Sequence, residues 1–255
     1  MALALKALHT SFAVHFLAVV GAILVLIWCI SFRGGLAWDS SNKNLIFNVN
    51  PLNPFLLFLL SLKELFVYKK MFVLHPVLMF IGFIIIGGEA IVSYKSLPLK
   101  KPEKKLIHLV LHAIALILGI IGIYTAFKFH NESNIANLYS LHSWLGIGVI
   151  VLYGIQWVYG FLVFFFPGGT PTIRSESLPW HVLFGIFVYI LAIATAALGY
   201  LEKLTFLENS GLEKYGSEAF LVNFTAIVTV LYGTFVILTT LCQSPTEDEY
   251  SYSAI

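Results

Sequence analysis

The sequence predicts an all-α membrane protein with six transmembrane helices, of which the second to the fifth form a four-helix core. Two observations lead to this fold class. Of the 255 residues, 59% are hydrophobic and only 11% are charged, whereas globular domains carry about 25% charged residues. The apolar residues also gather into six stretches long enough to cross a hydrocarbon layer, which takes about 20 residues as helix. Unpaired strand edges are not tolerated in lipid, so helices are predicted.

The six predicted spans follow one another with clear breaks between them: residues 11–32, 72–94, 106–129, 138–166, 178–201 and 219–242. Pro98 and Pro102 close the second span, and the Pro-Gly-Gly sequence at 167–169 closes the fourth. Pro179 is predicted in the first turn of the fifth helix, where proline is well tolerated. An even number of spans predicts that both termini lie on one side of the membrane.

Residues 50–74 interrupt this regular pattern. Their apolar run, residues 55–62, is too short to cross a membrane, so an amphipathic or irregular loop is predicted. A lineage-specific loop and a coding artefact both fit the sequence. If the segment did cross, every later span would change sides. The chain as a whole, residues 1–255, is predicted to be one transmembrane domain with this insertion and a polar tail at residues 243–255.

The charged residues indicate orientation rather than a charged partner. The net charge is only +2, and no concentrated basic face is present, so nucleic acid is not a predicted partner. The densest basic cluster lies between the second and third spans and contains Lys95, Lys100, Lys101, Lys104 and Lys105. The positive-inside rule places this loop, and with it both termini, in the cytoplasm.

Four of the eight histidines lie near the starts of four consecutive spans: His75, His108, His142 and His181. Successive helices start on opposite faces, so His75 and His142 are predicted near the non-cytoplasmic face and His108 and His181 near the cytoplasmic face. Ionisable residues inside spans are costly and usually functional. Two imidazoles on facing helices can bind a haem iron from both sides. A single such histidine is more often a hydrogen-bonding partner, but four at matched depths favour two haem sites.

Several sequence motifs occur in order along the chain: residues 33–36 (RGGL), 75–79 (HPVLM), 88–90 (GEA), 104–108 (KKLIH), 139–146 (YSLHSWLG) and 179–181 (PWH). Together they resemble the cytochrome b561 family, the ascorbate-dependent transmembrane electron carriers, and specifically its plant members. The resemblance implies that two haem b groups are held by His75 with His142 and by His108 with His181. The alternation of the helices predicts the same pairing. Residues 50–74 depart from the family pattern.

The resemblance also implies a donor site and an acceptor site. Lys101, Lys105 and Arg174 match the cytoplasmic residues expected to bind ascorbate, and cationic groups suit an anionic donor. His130 and Ser140 match the neighbourhood of the non-cytoplasmic acceptor, either monodehydroascorbate or ferric chelates. Lys101 could equally be a plain positive-inside lysine, whereas Lys105 and Arg174 are favoured because they lie three and seven residues before His108 and His181. His130 could be a solvated helix end.

The predicted function is that of a transmembrane oxidoreductase, embedded in the lipid of an endomembrane such as the vacuolar membrane. It would move electrons from cytosolic ascorbate through two haems to the opposite side, and whether it forms a homodimer stays open. A haem-free, histidine-lined transporter of protons or divalent metals is the alternative, although the internal repeats and broken helices typical of transporters are not visible. A non-catalytic scaffold leaves the paired histidines unexplained. His112 is predicted to pack beside His108, and the role of Glu89 stays open.

Overall fold

The computed structural model describes residues 3–32 and 75–243, with side chains from residue 7 to 32 and from 75 to 242. Within these ranges, six helices are long and apolar enough to span a membrane. The prediction of an all-α, multi-pass membrane protein is therefore confirmed. The motif at residues 33–36, the segment 50–74 and residues 244–255 of the tail lie outside the described residues.

The helices follow the predicted order but extend further at several ends. Their bounds are α1 (Ala7–Phe32), α2 (His75–Ser96), α3 (Lys101–Ser133), α4 (Leu141–Phe165), α5 (Pro171–Asn209) and α6 (Ser217–Leu241). Two short strands, β1 (Leu3–Lys6) and β2 (Cys242–Gln243), pair in parallel. Both ends of the described chain therefore lie together at one end of the bundle.

The predicted position of Pro179 is wrong, because this proline lies inside α5 rather than in its first turn. The helix begins eight residues earlier, at Pro171. There the Thr170 hydroxyl accepts a hydrogen bond from the Ile173 amide at 3.3 Å, and a proline at the first helical position needs no amide hydrogen bond of its own. The start of α3 is also earlier than predicted. The Glu103 carboxylate accepts from the Lys100 amide at 3.0 Å, which caps the helix five residues before its apolar part.

The middle of α2 is a wide π-helical stretch, Leu78–Ile85. Such turns shift the backbone carbonyls out of the regular α-helical ladder, and here two of them accept bonds from neighbouring helices. The Tyr189 hydroxyl of α5 donates to the Ile84 carbonyl at 3.2 Å, and the Tyr232 hydroxyl of α6 donates to the Ile85 carbonyl at 2.8 Å. These bonds satisfy polar groups that lipid could not, and they fix α5 and α6 against α2.

The helices pack mainly as α1 with α6, α2 with α3, and α4 with α5, and α2 also contacts α6. Their shared core includes Phe83, Val149, Tyr153, Val188 and Tyr232. Large apolar side chains cover the outside of the bundle, as a lipid environment requires. This arrangement places α2, α3, α4 and α5, the helices that carry the four histidines, around one interior.

Candidate functional site

The structure brings the four histidines together as two facing pairs. The ring centres of His75 and His142 are 6.0 Å apart, and those of His108 and His181 are 6.3 Å apart. The two pairs lie at opposite ends of the bundle. In α3, Gly122 follows His108 by 14 positions, and the Gly122 carbonyl contacts His75. At the helical rise of about 1.5 Å per residue, this separation corresponds to about 20 Å.

Helices α2 and α3 each hold the histidine of the other. The Nδ1 atom of His75, at the start of α2, lies 2.9 Å from the carbonyl oxygen of Gly122 in α3. The Nδ1 atom of His108, near the start of α3, lies 2.9 Å from the carbonyl oxygen of Ala90 in α2. A carbonyl oxygen can only accept, so each Nδ1 carries the proton and donates it. The Nε2 atom of each ring therefore carries no proton and keeps a lone pair that can bind a metal ion.

Helices α4 and α5 repeat this exchange with one variation. The Nδ1 atom of His142 in α4 lies 2.9 Å from the Thr195 carbonyl oxygen in α5. His181 in α5 is held instead by a side chain of α4. The side-chain amide nitrogen of Gln156 lies 2.9 Å from Nδ1 of His181 and donates to the backbone carbonyl oxygen of His181 at 2.6 Å. Each antiparallel pair thus presents one oriented imidazole at each end.

Two glycines allow the imidazole rings to lie close to a neighbouring helix. A Cβ atom added at Gly199 would lie 2.8 Å from Cε1 of His142, and one added at Gly160 would lie 3.0 Å from Cε1 of His181. Both distances are shorter than carbon atoms normally tolerate. The glycines therefore set the positions of the two rings.

A cavity of about 240 Å³ opens at the His75 and His142 pair. Small residues form part of its wall, including Gly146, Ala192 and Ala196. The predicted acceptor residues His130 and Ser140 also line it. Ser140 has a structural role in addition, because its hydroxyl accepts from the Ser143 amide at 3.3 Å and caps α4.

Glu202 and Lys203 line the same cavity, although the sequence analysis did not single them out. They follow directly after residue 201, where the fifth span was predicted to end, whereas α5 continues to Asn209. Tyr139 lies beside them and donates a hydrogen bond to Glu202. Partial burial and the neighbouring Glu202 carboxylate raise the pKa of Tyr139. Tyr139 is the first residue of the motif at 139–146, whereas no sequence motif includes Glu202 or Lys203.

At the other end of the bundle, two of the three predicted donor-binding cations lie around the C-terminal end of α4. The Lys105 ammonium donates to the Phe164 carbonyl at 2.9 Å, and the Phe164 ring centre is 5.1 Å from that of His181. The Arg174 guanidinium lies against Gly168 in the turn that follows α4. Lys101 is exposed at the first residue of α3, one turn before Lys105.

Aromatic rings connect the two histidine pairs through the middle of the bundle. The ring centres of His108 and His112 are 4.3 Å apart, and those of His112 and Tyr153 are 5.5 Å apart. The Tyr153 hydroxyl is hydrogen-bonded to Nδ1 of His112. Tyr153 then contacts Phe83 with a centre separation of 4.7 Å, and Phe83 lines the cavity at His75 and His142.

A transmembrane bundle with a facing imidazole pair at each end has the architecture of a membrane-spanning cytochrome. The sequence model of eukaryotic cytochrome b561 matches residues 74–207. The chain belongs to the cytochrome b561 family, as its motifs predicted.

Similar proteins are found in plants and in an animal. Transmembrane ascorbate ferrireductase 1 of Arabidopsis thaliana is 61% identical over 100% of both chains. Probable ascorbate-specific transmembrane electron transporter 1 of Oryza sativa subsp. japonica is 56% identical over 100% of this chain and 99% of the relative. Transmembrane ascorbate-dependent reductase CYB561 of Mus musculus is 35% identical, with 82% of this chain and 73% of the relative covered.

Proposed function

We propose that this protein is an oxidoreductase that transfers electrons from ascorbate across a membrane through two haem b groups. The observation that carries the proposal is the pair of facing imidazoles at each end of the four-helix core. The names of its relatives, which are ascorbate ferrireductases and ascorbate-specific electron transporters, support the same activity. The alternative, a haem-free transporter of protons or divalent metals, is not favoured by these relatives.

The residues at both ends fit a haem held by two histidines. An imidazole nitrogen binds a first-row metal ion at about 2 Å, so two imidazoles on opposite sides of one ion have ring centres about 6 Å apart. The observed separations of 6.0 and 6.3 Å agree with this value. For His75, His108 and His142, a backbone carbonyl accepts from Nδ1, and such a partner fixes the tautomer and the ring orientation of a metal-binding histidine. We therefore assign His75 with His142, and His108 with His181, as the axial ligands.

Bound haem supplies a one-electron couple at each pair. A haem held by two histidines would have no open position for oxygen, and this would favour electron transfer over oxygen chemistry. Between the pairs, His112, Tyr153 and Phe83 fill the interior with packed rings and exclude lipid and water. The chain's contribution is thus to fix the distance, the ligands and the medium between the two centres.

The donor site is proposed at the His108 end, with Lys101, Lys105 and Arg174 as its cations. Ascorbate is an anion at neutral pH, and cationic groups attract it electrostatically. Lys105 reaches the last helical turn of α4, where Phe164 packs against the His181 ring, and Arg174 reaches Gly168 just beyond the end of that helix. A donor held by both cations would therefore lie close to the proposed haem position.

The acceptor site is proposed at the cavity beside His75 and His142. His130 and Ser140 line it, and Glu202 and Lys203 add one charge of each sign. These side chains offer donors and acceptors to a small polar acceptor, either monodehydroascorbate or a ferric chelate. The lysine-rich segment from Lys95 to Lys105 lies at the opposite end, so the positive-inside rule places the His108 end in the cytosol. The ends of the described chain would then lie there too, and an endomembrane such as the vacuolar membrane is the proposed location.

Haem stoichiometry and sided reduction test this function together. Pyridine haemochrome measurements on purified protein are expected to give two haems per chain. In vesicles of one orientation, external ascorbate is expected to reduce the cytochrome and then a ferric chelate trapped inside. One haem or none per chain would contradict the two-site assignment, and cytochrome reduction without reduction of the trapped chelate would contradict transfer across the membrane.

Substitution of Gly199 by alanine tests the position of His142. The added methyl group would collide with the His142 ring, and such overpacking typically costs about 1–3 kcal/mol, which corresponds to roughly 5- to 150-fold weaker haem binding at that end. Gly148 of α4 is exposed and has nothing within 4 Å of an added Cβ, so Gly148→Ala is the matched control. Haem content during dilution is the measurement, and equal retention in both variants would contradict the proposed ligand position.

A further inference from the structure

A second polar group in the membrane interior is not used by the proposed haem sites. Glu89 lies in α2, and its Oε2 atom is 2.8 Å from Nδ1 of His15 in α1. Its other oxygen, Oε1, is buried, and the described residues offer it no hydrogen-bond partner. Ionisable side chains inside a membrane are costly and usually functional. An unpartnered buried oxygen in such a group calls for a functional explanation.

The groups around Glu89 are mostly neutral. Tyr189 of α5 and Tyr232 of α6 face it, with their hydroxyls bound to carbonyls of α2 and positioned against Gly88. The lysine of α2, Lys95, is held elsewhere, because its ammonium donates to the Thr240 and Cys242 carbonyls. Among the described residues, His15 is thus the partner that can share a proton with the Glu89 carboxylate.

The carboxylate is also tied to one of the proposed haem ligands through the backbone. The residue after Glu89 is Ala90, whose carbonyl oxygen accepts from Nδ1 of His108 at 2.9 Å. Glu89 is thus one residue away from the carbonyl that orients His108, and negative charge added between His108 and His181 would act on its carboxylate through the weakly polar interior of the bundle. Charges interact more strongly in such a medium than in water. The His15 side chain is 50% exposed, against 26% for Glu89, so His15 is the outer partner of the pair.

We infer that Glu89, with His15 as its partner, is the proton acceptor coupled to reduction of the centre between His108 and His181. One electron arriving there is matched by one proton, which forms an O–H bond on the Glu89 carboxylate. Water at the membrane surface or ascorbate, which loses a proton on oxidation, supplies it. When the electron leaves, the O–H bond breaks, and the proton passes to water at the membrane surface. The inference rests on the proposed haem sites and adds a role for two residues that bind neither haem nor substrate.

Redox titration of the purified, haem-loaded protein at several pH values tests this inference. A group that binds a proton more tightly in the reduced protein makes the midpoint potential fall as pH rises. The limit is about 59 mV per pH unit, since a tenfold change corresponds to 59 mV for one electron. We expect this slope for one of the two haems in the wild-type protein. Glu89→Gln should abolish it for that haem and leave the other haem unchanged.

Glu218→Gln is the matched control. Glu218 is also a buried glutamate, but it lies at the start of α6, where it accepts a hydrogen bond from Trp28 at 2.9 Å. This change should leave the slope in place. His15→Gln is a second variant that keeps the carboxylate. It should move the sloping range to higher pH, because a carboxylate without its histidine partner binds a proton more readily.

The outcomes separate this inference from the proposed function. A wild-type protein without two haems would contradict the proposed function itself. With two haems present, the inference is overturned by a flat wild-type profile, by an unchanged slope in Glu89→Gln, or by an equal loss in Glu218→Gln. If Glu89→Gln does not retain haem, the His15→Gln variant tests the inference instead. An unshifted dependence of midpoint potential on pH in that variant would reject the coupling.

Discussion

Replacing His108 with alanine is expected to remove the haem at the His108 end and to leave the haem at the His75 end in place. The reason is geometric, because His108 and His181 face each other at the distance that suits one bound iron. Without His108, which the Ala90 carbonyl orients, only His181 would remain to hold a haem at that end. Pyridine haemochrome measurements should fall from two haems per chain to one, and one low-spin signal should disappear from the electron paramagnetic resonance spectrum.

His112→Ala is the matched control, because it removes an imidazole one helical turn away. The Nδ1 atom of His112 is bound to the Tyr153 hydroxyl rather than to a carbonyl, and its ring packs on His108. Both haems should therefore remain, while the packing between the two sites is weakened and transfer between them slows. Loss of haem from the His112 variant, with retention in the His108 variant, would reverse the ligand assignment.

The six spanning helices of residues 3–32 and 75–243 and the pairing of the histidines could be predicted because both follow from simple regularities. Long apolar stretches mark helices in lipid, and the alternating direction of successive helices sorts histidines by membrane face. His75 with His142, and His108 with His181, are brought together as this argument expects. No knowledge of side-chain packing was needed for either result.

The ends of α5 could not be predicted by the same reasoning. Hydropathy locates the part of a helix that lies in lipid, but α5 extends beyond it at both ends. At the N-terminal end, Pro179 suggests the first turn of the helix, but the helix begins at Pro171, which Thr170 caps. At the C-terminal end, the predicted span stops at residue 201. The sequence therefore did not indicate that Glu202 and Lys203 continue the helix and line the acceptor cavity.

The contacts that orient the histidines were also invisible in the sequence. Three of the four partners are backbone carbonyls, those of Ala90, Gly122 and Thr195. Any residue supplies such a group, so no residue type marks the position. Likewise, Leu78–Ile85 is an apolar run whose π-helical form depends on tyrosines far along the chain.

Removal of either cation of the proposed donor site is expected to weaken the use of ascorbate without loss of haem. Lys105 and Arg174 come from two different helices, and they reach the last residues of α4 and the turn that follows it, respectively. A charge-assisted hydrogen bond to an anion contributes about 1–3 kcal/mol, so Lys105→Ala or Arg174→Ala should weaken ascorbate binding roughly 5- to 150-fold. The measurement is the rate of haem reduction against ascorbate concentration in sided vesicles.

The controls must separate lost charge from lost structure, because Lys105 also holds the Phe164 carbonyl beside the His181 ring. Lys105→Arg keeps the charge and a donor and should restore most of the rate. Lys214→Ala removes an exposed lysine between α5 and α6, at the other end of the bundle, and should change nothing.

A donor site defined by charge gives a specific kinetic pattern. If the cations act by binding the anion, saturating ascorbate should restore the wild-type rate in both alanine variants, and added salt should lower the wild-type rate more than theirs, because exposed charges are screened. If Lys105 instead acts only by holding Phe164, the rate should stay low at saturating ascorbate and Arg174→Ala should behave as wild type. Wild-type kinetics in both variants would place the donor elsewhere, since no anion could then be bound by these two cations.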